Sequence, residues 1–434
     1  MSQRVVITGM SLVNALGETV PEVWRRLLAG ENGITRISYF DATEYSVRTA
    51  AEVRSLEGAP SIKFDNYERD SGLRSLPGEY FRRSAAMFLK AATDAFADAG
   101  LGDSAARRER IGVAAGHSVP YLDHPLAHGY YRLRRPGSNE LDLERFSREG
   151  VQARHVFWRR QGSLMAVAPM RRLQLEGPSL VVDTACAASG HAIASAYRML
   201  RRGQADAFIA GGVTALVAPL GILYFAVLGA LSRNPDPETA ARPFDRDRDG
   251  FVMGEGGGAV VLETLEHARA RGARIYAELL GYGSTLNAHT ITDPSPDGSA
   301  EAAAMRMALA AAGLNPSDID YVAAHGTSTP KNDTIETAAI KIAFGEHSRR
   351  LPVSSNKAQV GHTIAGAAVT NLVCATKAIM EGVVPPTMHY RKPDPECDLD
   401  YVPNQPREMP LRRVMANSFA FGGQNLVLVV QAFS

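Results

Sequence analysis

The chain has 434 residues, 45% hydrophobic and 21% charged, ordinary proportions for a globular protein large enough for two or three domains. Lys+Arg total 47 against 46 Asp+Glu, so no net field draws it to nucleic acid or to an anionic membrane. Its three cysteines, Cys186, Cys374 and Cys397, stand far apart with no CxxC pair. That sets aside a disulfide scaffold and a zinc site and fits a reducing, cytoplasmic setting.

The start runs directly into a strand over residues 5–8, without an apolar signal core. Helices are expected over 20–29 and 81–99, the second built from alternating small and apolar residues. A strand at 111–115 ends in Gly116-His117. Residues 118–160 are rich in arginine and aromatics (Tyr130, Tyr131, Arg132, Arg134, Arg135) and read as a surface insertion, either solvated decoration or a partner-binding face. Then Val181-Val182-Asp183-Thr184-Ala185-Cys186 breaks a β-branched run into small residues, with a helix expected over 191–202. The uncharged stretch 207–232 is long enough to cross a bilayer, but Gly211-Gly212, Pro219, Gly221 and Gly229 punctuate it. It reads as a strand over 207–210 ending at the glycine pair, a loop and an apolar helix, hence core with a subunit interface or substrate tunnel. Gly254–Gly258 lacks the following helix that a dinucleotide fingerprint needs; a strand over 258–263 follows instead.

The second half repeats this order. A strand at 275–282 and a helix at 299–312 precede a strand at 321–324 that meets His325. A helix at 334–344, a strand at 352–354, the Lys357 loop and a helix at 363–381 follow, and strands at 414–416 and 426–431 close the chain. Alternating strands and helices predict an α/β fold with parallel strands and crossover helices. The matching order of the halves suggests an internal duplication, with halves at 1–264 and 265–434.

Cys186 is placed on a strand-to-helix bend, where the positive end of a helix favours thiolate. The bland alternative is a buried structural cysteine. Two histidines tilt the balance. His325 closes an apolar strand before Gly326-Thr327-Ser328-Thr329-Pro330. His362 precedes a glycine- and alanine-rich helix, five residues after Lys357. A thiol, two imidazoles and a lysine suit thioester chemistry: the sulfur takes an acyl group and neutral imidazoles donate N–H bonds to an enolate or oxyanion. A metal is the weaker reading, since no HxxxH pair or carboxylate stands at ligand spacing.

Taken in order, Asp-Thr-Ala-Cys at Cys186, Arg242-Pro243-Phe244-Asp245, Asp249-Gly250-Phe251, Gly254-Glu255-Gly256, His325-Gly-Thr-Ser-Thr-Pro, Lys357-x4-Gly-His362 and Asn417-Ser-Phe-Ala-Phe-Gly-Gly423 resemble the β-ketoacyl-acyl-carrier-protein synthases of the type II elongating kind. The resemblance covers Arg4 to Val430. It implies a thiolase fold, five layers α-β-α-β-α from two duplicated halves, normally dimeric. By resemblance, Cys186 is the nucleophile; His325 and His362 promote malonyl decarboxylation; Lys357 sets the electrostatics; Glu336 is the buried acid near it. Thr327 and Thr329 bond phosphopantetheine. Phe421 is the gate, and its N–H with that of Cys186 forms the oxyanion hole. The resemblance implies no metal and no bound cofactor, the phosphopantetheine arriving on an acyl carrier protein. The expected partners are that carrier and a like or ketosynthase-like second subunit, with neither nucleic acid nor membrane involved.

Three departures from the family pattern stand out. The gating loop reads Ala420-Phe421-Gly422-Gly423-Gln424 where the family has Gly-Phe-Gly-Gly-Thr, so a Cβ at Ala420 is expected to restrict the gate and alter acyl selectivity. Gln424 adds an amide beside it. Residues 118–160 look longer than in plain fatty-acid enzymes, suiting an acidic carrier or a heterodimer contact. With the Asp-Thr-Ala-Cys form, these features lean toward polyketide relatives. A non-catalytic chain-length-factor-like subunit is the alternative, opposed by the intact Cys186, His325 and His362. A thiolase is opposed by its missing second motif cysteine, since Cys374 reads as core.

Overall fold

A computed structural model describes residues 3–54, 80–102, 107–118, 131–149, 162–290 and 294–434. Its ten-stranded sheet takes β1 (Val5–Asn14), β2 (Ile111–Gly116), β3 (Ser179–Val182), β4 (Ala207–Thr214) and β5 (Gly256–Thr264) from the first half. The second half supplies β6 (Ala277–Leu286), β7 (Tyr321–Ala323), β8 (Val353–Ser354), β9 (Arg413–Phe419) and β10 (Gln424–Gln431). The spatial order is β8-β7-β9-β10-β6-β1-β5-β4-β2-β3. Each half therefore lays its five strands in the same order, third-second-fourth-fifth-first. The halves join where Val5, Val6 and Ile7 face Leu279, Glu278 and Ala277.

The pairing is mixed, where the sequence pattern predicted parallel strands. The fifth strand of each half runs antiparallel to both neighbours, while the second, third and fourth run parallel. The reason in the second half is a short connection: only residues 420–423 separate β9 from β10, and a short loop can join only antiparallel strands. The predicted end of a strand at Gly211-Gly212 is also corrected, since β4 runs through both. A Cβ at Gly211 would lie 2.2 Å from the Gly258 carbonyl oxygen, so glycine here permits close strand approach and is no terminator.

Around the sheet lie α1 (Val20–Leu28), α2 (Tyr80–Asp98), α3 (Leu164–Leu173), α4 (Ala188–Arg201), α5 (Pro219–Val227), α6 (Ser299–Ala312), α7 (Pro330–Phe344) and α8 (Ala367–Glu381). α2 and α3 cover the outer face of the first half, α6 and α7 that of the second, and α4 and α8 fill the space between the halves. This makes five layers. Side-chain alternation explains how one strand serves two cores: Leu426, Leu428 and Val430 of β10 enter the central core, Val427 and Val429 the outer one. Strands buried on both faces carry near-continuous apolar runs, as β5 does over Gly256–Leu262 and β10 over Leu426–Val430. The central helices cross closely at Gly190, where a Cβ would lie 2.0 Å from Leu426 Cδ2 and 3.0 Å from Ala368 Cβ.

The uncharged stretch 207–232 resolves into β4 and the apolar α5. The segment Ile364–Glu381 is long and apolar enough to cross a membrane, yet 83% of it is buried inside the protein. Of the insertion at 118–160, residues 119–130 and 150–161 lie outside the described residues. Within 131–149, the Arg134 guanidinium sits 4.0 Å from the Tyr131 ring, and the short helix Leu143–Glu149 has no buried residue.

Candidate active site

The duplication places the reactive groups. In each half a 3-10 turn and then a central helix follow the third strand, directly in the first half and after the short helix Lys357–Val360 in the second: Ala185–Ala187 before α4, and Ile364–Gly366 before α8. Each turn opens on a non-glycine residue in the left-handed region, Ala185 at φ 46° and Ile364 at φ 41°. Such strain persists only where surrounding structure over-determines it. On the first turn it carries Cys186 into the central cleft; on the second, the position after the strained residue is Ala365.

Cys186, His325 and His362 converge, their ligand atoms all within 4.8 Å of one another. His362 Nε2 lies 3.0 Å from Cys186 Sγ, and the two imidazole rings meet edge to face at 5.2 Å. Phe251 and Phe419 wall them, 5.1 Å from the His362 ring and 5.9 Å from the His325 ring respectively. A cavity of about 300 Å³ opens on them, lined also by Thr327, Thr329 and Phe421. The two threonine hydroxyls lie 2.9 Å apart on its wall. Lys357 is buried and does not line the cavity.

The electrostatics correct one expectation. Burial pushes the Cys186 thiol up to about 12, outweighing the Phe421 N–H, the Lys357 charge and its own N–H, which all pull it down. Cys186 rests as a thiol, against the thiolate expected from its place at a helix start. Two of those opposing groups, the N–H of Phe421 and of Cys186, are the donors predicted for the oxyanion hole. Burial first, and the Lys357 charge second, hold both imidazoles well below their usual range, so they are neutral. Burial also lowers Lys357 to about 8.

Among the described residues, His325 Nδ1, His362 Nδ1 and Lys357 Nζ are buried without a hydrogen-bond partner. Three orphaned polar atoms around one thiol are costly to folding and need a functional reason. The cysteine and two histidines could geometrically hold a metal. However, metal-ligating histidines almost always hydrogen-bond through their other ring nitrogen, and here neither Nδ1 does.

Glu336 does not pair directly with Lys357. Its carboxylate accepts the backbone N–H of His325 at 2.8 Å and of Gly326 at 2.7 Å, and the Asn417 amide at 3.0 Å. Asp333, one turn earlier on α7, accepts the N–H of Thr327 at 2.9 Å, Ser328 at 3.1 Å and Phe244 at 2.8 Å. Two buried carboxylates thus cradle four consecutive N–H groups of the histidine loop. Arg248 backs Asp333 at 3.8 Å and donates to the carbonyls of Thr329 and Pro330. Sequence reasoning missed the Asp333 cradle because it began this helix at 334. Thr329 caps it, accepting the Asn332 N–H, and Pro330 opens it. The available signal was two acids three residues apart just after the Thr329-Pro330 cap.

Ala420 sits at φ −130°, comfortable for alanine, while Gly422 (φ 80°) and Gly423 (φ 74°) take the left-handed positions of the gate loop.

Comparison with known proteins agrees with this architecture. Residues 2–268 match the family described as Beta-ketoacyl synthase, N-terminal domain, and residues 276–391 its C-terminal domain. The chain is 39% identical over 433 residues to the 3-oxoacyl-[acyl-carrier-protein] synthase 2 of Coxiella burnetii, covering 99% of this chain and 98% of that protein. It is 38% identical over 432 residues to the Synechocystis protein of the same name, again covering 99% and 98%. Among solved structures, a type II polyketide-synthase ketosynthase in complex with its acyl-carrier protein superposes with TM-score 0.85 at 32% identity. A β-ketoacyl synthase from Burkholderia phymatum does so with TM-score 0.83 at 32% identity; each of the two covers 100% of both chains. With both family domains matched in order and relatives of 38–39% identity over 99% of its length, the chain belongs to the β-ketoacyl synthase family.

Proposed function

We propose that the protein catalyses the decarboxylative Claisen condensation of a Cys186-bound acyl chain with malonyl-acyl-carrier protein, in fatty-acid or type II polyketide synthesis. The observation that carries the residue roles is the buried contact of Cys186 Sγ with His362 Nε2, with His325 beside it. As the sulfur attacks an acyl thioester, its proton passes to His362. The developing oxyanion takes the N–H groups of Cys186 and Phe421. Collapse expels the carrier thiolate, which recovers the proton. Malonyl-carrier then loses carbon dioxide. Its enolate oxygen accepts N–H bonds from the two neutral imidazoles, and its carbon attacks the Cys186 thioester. The β-ketoacyl thioester leaves on the carrier; the freed sulfur takes up one proton. Carbon dioxide release drives the step without metal or bound cofactor.

Thr327 and Thr329, on the cavity wall, serve the phosphopantetheine arm. A second subunit, either another copy of this chain or a ketosynthase-like partner, completes the assembly. Strand β3 is a sheet edge, and Val167 on α3 with Leu223, Tyr224 and Val227 on α5 are exposed apolar residues suited to a partner. The setting is cytoplasmic, in keeping with three free, buried cysteines.

The test is intact-mass spectrometry with acyl-carrier substrates. One acyl adduct should form on the wild type, then disappear with carbon dioxide release once malonyl-carrier is added. No adduct, alone or with a candidate partner subunit, would leave the non-catalytic reading in front.

The pH dependence has a definite sign. With Cys186 near 12 and both imidazoles well below neutral, Lys357, near 8, is the member of this quartet that titrates close to physiological pH. Its charge, which favours the anionic sulfur, is present below about 8 and lost above it. Acylation kcat/KM is therefore expected to fall as pH rises through about 8. Lys357→Met should be slower at pH 7 and lack that limb. A wild-type limb retained in the variant would assign the titration to another group.

A further inference from the structure

Outside the catalytic set, one buried acid remains unexplained. Glu301, in the first turn of α6, is 1% exposed and lines the cavity, and its Oε2 has no hydrogen-bond partner among the described residues. Burial raises its carboxyl above the usual range. Its neighbours Ala300, Ala302, Ala303 and Ala304 are all alanines, so the acid stands alone in a small-residue stretch and its orphaned oxygen needs a reason.

What Glu301 does make is one contact outward from a rigid helix. Asn287 Nδ2 donates to Glu301 Oε1 at 2.9 Å. Asn287 lies just past the end of β6 and meets both the gate loop and the start of β10. Its backbone N–H donates to the Gly423 carbonyl at 2.9 Å, and its side-chain oxygen accepts from Asn425 Nδ2. The approach is close: a Cβ on Gly423 would lie 3.1 Å from Asn287 Cβ. Gly423 in turn donates to the Ala420 carbonyl at 3.1 Å, closing the turn that carries Phe421. The path therefore runs from the α6 wall through Asn287 to Gly423, where the loop ends, and through Gly423 to Ala420, where it begins.

We propose that Glu301 is a positioning residue for acyl loading: through Asn287 it latches the 420–423 loop shut and so sets how readily Phe421 yields to an incoming chain. The inference rests on the gate role given to Phe421 above. Any opening that carries Gly423 away from Asn287 breaks the latch, and the Glu301 contact determines how firmly Asn287 stays in place.

The test reads the thiol directly. Cys186 in the full-length protein is alkylated with iodoacetamide, which needs no acyl pocket, and with N-octylmaleimide, whose chain does. Peptide mass mapping separates Cys186 from Cys374 and Cys397. Glu301→Ala should raise the octylmaleimide rate by about three- to tenfold, the range of one lost hydrogen bond, with the iodoacetamide rate unchanged. Glu301→Gln retains an acceptor oxygen for Asn287 and should behave as wild type. Asn287→Ala should match Glu301→Ala, and the double variant should add nothing further. Wild-type octylmaleimide kinetics in Glu301→Ala, or equal acceleration in Glu301→Gln, would overturn the latch. Failure of wild type to accept an acyl group from a carrier thioester would instead strike the proposed function, and the alkylation ratio would still decide the latch.

Discussion

Replacing Cys186 by alanine should abolish the acyl adduct and lower condensation by on the order of 10⁴-fold or more, as removal of a catalytic nucleophile does elsewhere. It should leave malonyl decarboxylation measurable. That asymmetry follows from the proposed mechanism: there the enolate is stabilised by the imidazoles of His325 and His362, which sit on loops separate from the turn that bears the sulfur. His325→Ala is the mirror case. It removes one of two donors to the enolate oxygen and should lower decarboxylation by roughly 10²–10³-fold. The Cys186–His362 contact at 3.0 Å survives, so the acyl adduct should still form. Single-turnover mass spectrometry for the adduct and carbon dioxide trapping for the second step separate the two. Loss of both half-reactions in His325→Ala, at wild-type stability, would contradict this division of labour. Equal loss is expected only for His362→Ala, because that imidazole meets the thiol and stands beside His325 as well.

The same division shows what a linear sequence can carry. Cys186, His325 and His362 were legible because each stands in a short motif, the first two after a strand and His362 before a small-residue helix, and the order of those motifs marks the family. The duplication was legible as repeated order, and the structure adds its physical form: the strained residues Ala185 and Ile364 begin equivalent turns, one carrying Cys186 and the other Ala365. The antiparallel fifth strands were not legible, since hydrophobic periodicity does not report strand direction. Nor was the protonation state of Cys186, for burial is a property of the packed whole and overrides the local helix start. Glu336 was seen as an acid near Lys357, yet its oxygens serve backbone N–H groups, which no side-chain pattern advertises. Asp333 was hidden by a helix start placed too late, although Thr329-Pro330 is a proper cap.

Asp333 carries the largest expected loss of stability. Asp333→Ala should cost about 3–5 kcal/mol, the range for removing one partner of a buried charge pair. The residue is fully buried, 3.8 Å from Arg248, and removing it also strands the N–H groups of Phe244, Thr327 and Ser328. Phe244 and Ser328 hold left-handed backbone, φ 64° and 70°, which the carboxylate helps to impose. Without it the loop bearing His325 should relax, so activity should fall even well below the melting temperature. Asp333→Asn keeps one acceptor oxygen and the side-chain volume, and should lose less on both counts. Thermal unfolding of the three proteins, followed by decarboxylation assays at a temperature where all are folded, measures the two effects separately. An unchanged midpoint in Asp333→Ala would mean that Glu336 and the α7 cap suffice to hold the loop. Arg248 would then be neutralised by Asp394, to which it also donates at 2.5 Å.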